Sequence, residues 1–275
     1  MDRRIPDTAT VEAAVALALR APSARNTQPW CWRIGYSTLH LFADQDRPLP
    51  EPGPGERDML LGCGAALHHV RVAFAALGWG TDVRRLPDPD DPAHLAVVTP
   101  HPAGRPTEEM TALAAAIPRR RTDRRPPAAW PVPRDHLDAL ARAAAREDAR
   151  LHVVTGAVRG PVPDRQPGTV LTRPPALEAG GEVLVLATAN DDRMALLRAG
   201  EATSAVLLSA TALGLASCPL TGPWGSCEAH PPVLLRVGWA PPGSEPLPPT
   251  PRRHLGHVLE PLQAPPKYHH QLDTT

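Results

Sequence analysis

The chain has 275 residues, enough for one large domain or two small ones with a buried core. Its 29 basic and 29 acidic residues give a formal net charge of zero, which argues against the positive excess typical of nucleic-acid binders. No apolar run approaches the roughly 20 residues that span a bilayer, and the amino terminus contains no stretch suited to a secretion signal. We expect a soluble, cytoplasmic protein that binds neither nucleic acid nor membrane.

Two scarce residue types exclude further chemistries. The only lysine is Lys267, in a tail (residues 263–275) that we expect to be disordered. Schiff-base catalysis and a Walker-type phosphate lysine both need a fixed lysine, so both are disfavoured. The cysteines show no C-x-x-C spacing, which predicts free buried thiols rather than disulfides or a zinc site. They are Cys31, Cys63, Cys218 and Cys227.

The first part of the chain, residues 1–105, predicts one α+β unit. Val11, Val15 and Leu19 recur on one face of a first helix, which Asp7 or Thr8 can cap. The clearest stripe of apolar residues at helical spacing lies within 56–77 and follows a predicted strand pair. The predicted elements are helices over 8–20 and 56–77, a strand pair over 32–43 and a strand over 95–99.

The second part, residues 106–262, predicts another α+β unit. The region 156–181 is rich in Pro and Gly, has no period, and is predicted to be a loop. The predicted elements are helices over 108–117, 133–149 and 193–213 and strands over 151–155, 183–187 and 233–238.

The two parts resemble each other in sequence. Gly-Ala-Ala at 64–66 is followed by Leu77-Gly78, and Gly-Glu-Ala at 200–202 is followed by Leu213-Gly214 at the same spacing. Each long helix therefore ends at a glycine that suits a left-handed cap. Leu-His-Leu at 39–41 and Leu-His-Val at 151–153 recur in the same order, each in a strand upstream of its helix. These repeated sequence patterns predict an internal duplication.

Three further motifs do not support dinucleotide binding, metal binding or serine hydrolase activity. The glycines of 62–67 resemble a dinucleotide-binding loop but lie inside a helical pattern, so we interpret them as allowing close helix packing. His68-His69 and the pair His254 and His257 lack acidic or cysteine partners at ligand spacing, so we predict surface histidines and no metal site. Ser226 lacks the G-x-S-x-G elbow of serine hydrolases.

The most informative stretch is the loop over residues 21–30. Ser23, Asn26 and Gln28 place a hydroxyl and two amides in a stiff segment directly after a helix. Such groups suit the mixed donor and acceptor edge of a flavin. The alternative is a capped turn in which Trp30 anchors the core.

Two basic stretches and one acidic residue each allow two interpretations. The run 119–125 and the pair Arg252-Arg253 could be solvated surface charges or anion ligands. Glu201 could be buried at a functional site, or could be an exposed acid in the first turn of its helix.

The loop resembles the flavin-contacting loop of the nitroreductase family, with its P-S-x-x-N-x-Q-P-W pattern. The resemblance extends from about Val11 to Leu262 and is strongest to the Acg-like branch, in which two nitroreductase-like units are fused. The segments that match this branch are 44–50, 197–202, 212–216 and 219–220.

The resemblance implies an α+β, nitroreductase-like fold with two pseudo-symmetric halves around a central helical interface. It implies one FMN site built from both halves, reduced by NAD(P)H, in a monomer that acts as its own pseudo-dimer. Arg120, Thr122 and Arg124 would hold the phosphate, while Gly200 and Glu201 would lie near the ring. The implied cofactor-binding residues are Pro22, Ser23, Asn26, Gln28, Arg120, Thr122, Arg124, Gly200, Glu201, Pro219, Leu220, Arg252 and Arg253.

FMN would carry the chemistry, so no side chain is predicted to be catalytic. The favoured function is an FMN-dependent NAD(P)H oxidoreductase acting on a small molecule. One alternative is a flavin-binding or flavin-sequestering protein without turnover, and another is a scaffold that has lost FMN. Acg-like sequences carry more helix than this chain has within 156–181, so part of the flavin cover is expected to be shortened.

Overall fold

The structure, a computed structural model, describes residues 5–47, 55–154, 181–220 and 233–262, which form a mixed helix and sheet fold. Predictions for residues 156–180, Ser226, Cys227 and the tail lie outside the described residues. In chain order the elements are α1 (Thr8–Ala18), β1 (Trp30–Ile34), β2 (Leu39–Ala43), α2 (Gly55–Ala76), β3 (Trp79–Arg85), β4 (His94–Pro102), α3 (Glu108–Ala116), α4 (Arg134–Ala145), β5 (Arg150–Val153), β6 (Glu182–Ala187), α5 (Arg193–Ala212), β7 (Ala216–Leu220), β8 (Val233–Gly238) and β9 (Leu259–Pro261).

The strands form two sheets, one from each part of the chain. The first has the order β3-β4-β2-β1-β9 and the second the order β5-β6-β8-β7. All pairs are antiparallel except β1 with β9, which run parallel with Trp32 opposite Leu259. The end of the described chain therefore returns to the first sheet and carries residues 251–258 past α1 and the loop at 21–30.

The predicted helices and the predicted strands are confirmed, with small shifts at their ends. Asp7 caps α1, its carboxylate accepting from the Thr10 backbone at 2.9 Å. Three strands were not predicted: β3, β7 and β9. Each is an edge strand or very short, and β7 contains Pro219, which an edge strand tolerates because one side of it needs no ladder bond.

Helices α2 and α5 cross at the centre of the molecule, as predicted from their glycines. A Cβ on Gly64 would lie 2.0 Å from the Leu197 carbonyl oxygen, and one on Gly200 would lie 2.3 Å from that of Leu61. Only a residue without a side chain lets two helix backbones approach so closely. The two glycines are therefore required by the packing of the two parts of the chain.

Both long helices end as their sequences predict. Gly78 and Gly214 have φ of 85° and 79°, the left-handed conformation that glycine adopts without steric cost. By length and composition α2 could cross a membrane, but most of its residues are buried against α1, α3 and α5, as in the core helix of a globular domain.

Candidate anion and flavin site

The loop after α1 has a strained backbone. Arg25, Asn26 and Gln28 have φ of 48°, 57° and 52°, a left-handed region that side chains disfavour. The Ser23 hydroxyl oxygen accepts from the Gln28 backbone N–H at 2.9 Å and stabilises this shape, and Pro22 leads into it. Strain of this kind persists where the surroundings impose it and clusters at functional sites.

The carboxyl-terminal segment imposes the shape of this loop. The Gln28 side-chain oxygen accepts from the backbone N–H of Arg253 at 2.9 Å, and Asn26 Nδ2 donates to the Pro251 carbonyl at 3.1 Å. The Arg252 guanidinium donates to Asn26 Oδ1 and, at 3.2 Å, to the carbonyl of Arg20. The two amides predicted to contact a flavin thus also hold the loop against residues 251–253.

Arg253 has a different environment from its neighbour. Its guanidinium pairs with Asp44 at 2.8 Å and donates to the carbonyls of Gln28, Trp30 and His257. These partners account for the charge and for much of the donor capacity of the side chain. Of the predicted basic pair, Arg252 alone has no carboxylate partner among the described residues.

The basic run 119–125 is not a uniformly solvated stretch. Arg119 and Arg124 are exposed, but Arg120 is 4% exposed and points into the protein. Asp123 pairs with Arg125 at 2.7 Å, and this hydrogen-bonded pair lowers the pKa of Asp123. The solvated-run interpretation is therefore wrong for Arg120.

The middle of the run is fixed to the second sheet. Thr122 forms a β-bridge with Ser217 of β7, and the Asp123 N–H donates to the Ser217 carbonyl at 2.9 Å. Arg236 of β8 donates to the Asp123 and Arg125 carbonyls at 3.3 and 3.0 Å. These bonds position Arg120 at the boundary between the two parts of the chain.

Four arginines meet at that boundary: Arg20, Arg120, Arg121 and Arg252, here called the arginine cluster. Burial, followed by the charges of Arg252, Arg121 and Arg20, lowers the pKa of Arg120 to about 10. Burial and the charges of Arg20 and Arg121 lower the pKa of Arg252 to about 10 as well. Within the described ranges none of the four forms an ion pair with a carboxylate; their hydrogen bonds go to carbonyls, to Asn26 and to Thr122.

The cluster is also short of hydrogen bonds. The Nε atoms of Arg20 and Arg120 are buried and have no partner among the described residues. Buried charges in proteins are normally paired, because desolvation of an unpaired ion costs several kcal/mol. Like charges held together next to unused donors are the arrangement that a multivalent anion neutralises.

Comparisons with known proteins give the family. A Mycobacterium tuberculosis protein provisionally named NAD(P)H nitroreductase is 41% identical, with 94% of each chain covered. A second protein from that organism, named acg and also provisionally an NAD(P)H nitroreductase, is 35% identical, with 93% of this chain and 98% of the other covered. The chain belongs to the nitroreductase family. Its similarity to acg agrees with the Acg-like branch indicated by the sequence.

The other comparisons add little to this assignment. No protein-family profile matches the chain. A solved nitroreductase with bound FMN from Bacteroides fragilis overlaps 53% of this chain, at 16% identity and a TM-score of 0.33. The alignment to the 41%-identical relative runs over 327 residues, more than the 275 of this nitroreductase-family chain. This chain therefore lacks internal segments that the relative carries.

Glu201 lies in the third turn of α5 and is 1% exposed, so the interpretation as an exposed first-turn acid is wrong. Its carboxylate accepts from Arg85 of β3 at 2.6 Å and from Arg71 of α2 at 2.7 Å. Arg71 also pairs with Glu147 at 2.6 Å. The hydrogen bonds of Glu201 thus tie α5 to α2 and β3, and a contact with a flavin ring stays a prediction.

The remaining predicted ring contacts are at Pro219, Leu220 and Gly200. Pro219 and Leu220 lie in strand β7, and their contact with a flavin stays a prediction. They form a strand because each pairs in register with a residue of β8. Gly200 meets α2 as predicted, while its approach to a flavin stays a prediction.

Two residues of the site were not recognised from sequence. Arg20 stands at the end of α1 without any distinguishing spacing, so no local signal marks it. His69, with His68, was predicted to lie at the surface, which is wrong: their exposed fractions are 0% and 5%. His68 and His69 are buried because α2 is enclosed by helices on several sides. The apolar composition of α2 on all its faces could have indicated this.

Proposed function

We propose that this chain is an FMN-dependent NAD(P)H oxidoreductase whose arginine cluster binds the flavin phosphate. The observation that supports the proposal is a cluster of buried and half-buried arginines that have no carboxylate partner among the described residues, next to a strained loop of the predicted flavin-contacting type. A phosphate dianion would provide the missing negative charge and the missing acceptors. The residues present therefore fit the phosphate end of FMN.

Each group has a definite part in this proposal. Arg120 and Arg252 would bind phosphate oxygens directly, and the Thr122 hydroxyl, 3.5 Å from Arg120 Nη1, would donate a further bond. Ser23 keeps its hydroxyl hydrogen available, because its oxygen serves as the acceptor for Gln28. Asn26 and Gln28 would act mainly by fixing the loop, since their amides already bind the 251–253 segment.

When bound, FMN would accept a hydride from NAD(P)H and pass electrons to a second small molecule. The side chains would bind and orient the cofactor, and none is required as an acid or base. We further propose that the protein is a soluble, cytoplasmic monomer, because α2 and α5 already form a helix interface of the kind expected between two nitroreductase units.

The second candidate is a flavin-binding protein without turnover. The shorter length of this chain relative to the 41%-identical nitroreductase favours it, since missing segments could belong to the cover of the flavin. Anaerobic mixing of the flavin-loaded protein with NADPH or NADH separates the two. Bleaching of the flavin absorption supports the reductase, whereas an unchanged oxidised spectrum with both nucleotides supports sequestration.

A further inference from the structure

His69 presents an unused ring nitrogen in the interior next to the arginine cluster. Its Nδ1 lies 2.9 Å from the carbonyl oxygen of Ala65, one turn earlier in α2. A carbonyl can only accept, so the proton of the neutral ring is on Nδ1. Nε2 then carries a bare lone pair, and this atom is buried without a hydrogen-bond partner among the described residues.

A short hydrogen-bond chain fixes this tautomer. The Ser204 hydroxyl of α5 lies 2.8 Å from His69 Nδ1 and 2.9 Å from His68 Nδ1. The single hydrogen on His69 Nδ1 is shared between the Ala65 carbonyl and the Ser204 oxygen, and Ser204 donates its own hydrogen to His68 Nδ1. The proton of His68 is then on its Nε2, which faces Glu147 at 3.8 Å. Moving the His69 proton to Nε2 would break the bond to Ala65.

The charges that act on His69 come from three separate segments. They are Arg20 at the end of α1, Arg120 in the 119–125 run and Arg252 near the carboxyl terminus. Burial has the largest effect, and with these positive charges it lowers the pKa of His69 to about 3, against a smaller opposing effect of the Ala65 hydrogen bond. On α5 the facing group is the neutral Ser204, and on α2 itself it is His68, whose ring is also held neutral because burial lowers its pKa.

We propose that His69 is a proton-binding ligand of the flavin phosphate: Nε2 takes up one proton from solvent when the phosphate occupies the arginine cluster, and then donates it to a phosphate oxygen. This inference rests on the proposed function. A dianion beside these arginines offsets their positive charge at the ring, which raises the pKa of His69 and favours the imidazolium. Without the added proton, the Nε2 lone pair would face an anionic oxygen and oppose binding.

The test is calorimetric titration of FMN into the flavin-free protein near pH 8, in two buffers of different ionisation enthalpy. The second phosphate pKa is about 6, so free FMN is already a dianion there and brings no proton with it. We expect net proton uptake of up to one proton per FMN. Because each proton taken up lowers the affinity about tenfold per pH unit, FMN affinity should fall as the pH rises and level off once the bound histidine is deprotonated.

The variants separate binding from protonation. His69→Gln places an amide donor near the Nε2 position, so it should bind FMN with no proton uptake and little pH dependence. His68→Gln is the matched buried control and should keep the uptake. Riboflavin, which lacks the phosphate, should bind the unchanged protein without taking up a proton.

Three results would overturn the inference. FMN binding without proton uptake contradicts it while leaving the proposed function intact. Equal uptake by His69→Gln and the unchanged protein assigns the proton to another group. Failure of FMN to bind at all overturns the proposed function, and this inference with it.

Discussion

Gly64 and Gly200 occupy equivalent positions in one helix crossing. A Cβ on Gly64 would meet the carbonyl of Leu197, three residues before Gly200, and a Cβ on Gly200 would meet that of Leu61, three residues before Gly64. Such reciprocal contacts are the signature of an interface with two-fold symmetry. Within one chain, they support the proposal that two related units were fused.

Gly64→Ala and Gly200→Ala should each destabilise the protein. Alanine favours a helix interior by about 1 kcal/mol over glycine. Overlap with a backbone carbonyl costs more, so we expect a net loss of about 1–3 kcal/mol in the free energy of unfolding, measured with urea. Gly256→Ala is the control, because nothing lies within 4 Å of its added Cβ. Equal effects at all three positions would contradict this helix crossing.

A larger side chain at Gly200 tests a second proposal. Gly200→Leu should lose stability and flavin together, because this position is expected to contact both α2 and the cofactor. Flavin content and melting temperature are the two measurements. Unchanged values of both would show that the helix is misplaced.

Arg120→Ala should weaken FMN binding by about tenfold or more, since a charge-assisted bond contributes about 1.5–3 kcal/mol. Riboflavin binding should change little. Stability of the flavin-free protein should not fall, because the variant removes a buried charge that faces other arginines. Arg119→Ala, at an exposed position, is the control. Equal losses for FMN and riboflavin would assign Arg120 to folding rather than to phosphate binding.

The buried histidines predict a pH-dependent stability. In the unfolded chain they bind protons below about pH 6.5, whereas in the folded protein the pKa of His69 is about 3 and that of His68 is also lowered. Stability of the flavin-free protein should therefore fall as the pH drops from about 6.5 toward 3. The limiting slope is about 1.4 kcal/mol per pH unit for each histidine. His69→Gln should remove one such contribution, and an unchanged slope would contradict its buried, neutral state.

The parts of the fold that sequence predicts are those with a local signal. The stripe of α2 and the glycines at 64 and 200 gave the central helices and their contact. By contrast, β9 forms through pairing with β1, from which it is distant in sequence, so its residues carry no pattern of their own. Its three residues are too few for a period to be detected.

In the candidate site too, the residues that lie in a local motif were predicted, and those brought in by tertiary packing were not. A motif identified the loop at Ser23 and the run at Arg120, yet Arg20 and His69 become part of the site only through tertiary packing. Arg253 and Glu201 were recognised as unusual charges, but sequence could not show that Asp44, Arg71 and Arg85 neutralise them. Partners of buried charges depend on contacts that are not local in sequence.

The flavin content of the purified protein is the most direct test of the central claim. After reconstitution with excess FMN and removal of unbound cofactor, absorption and protein mass should give about one FMN per chain, and light scattering should report a monomer. Riboflavin should be retained far less well, because the arginine cluster binds the phosphate. Failure to retain FMN, or two FMN per chain, would contradict a single site built from both parts of the molecule.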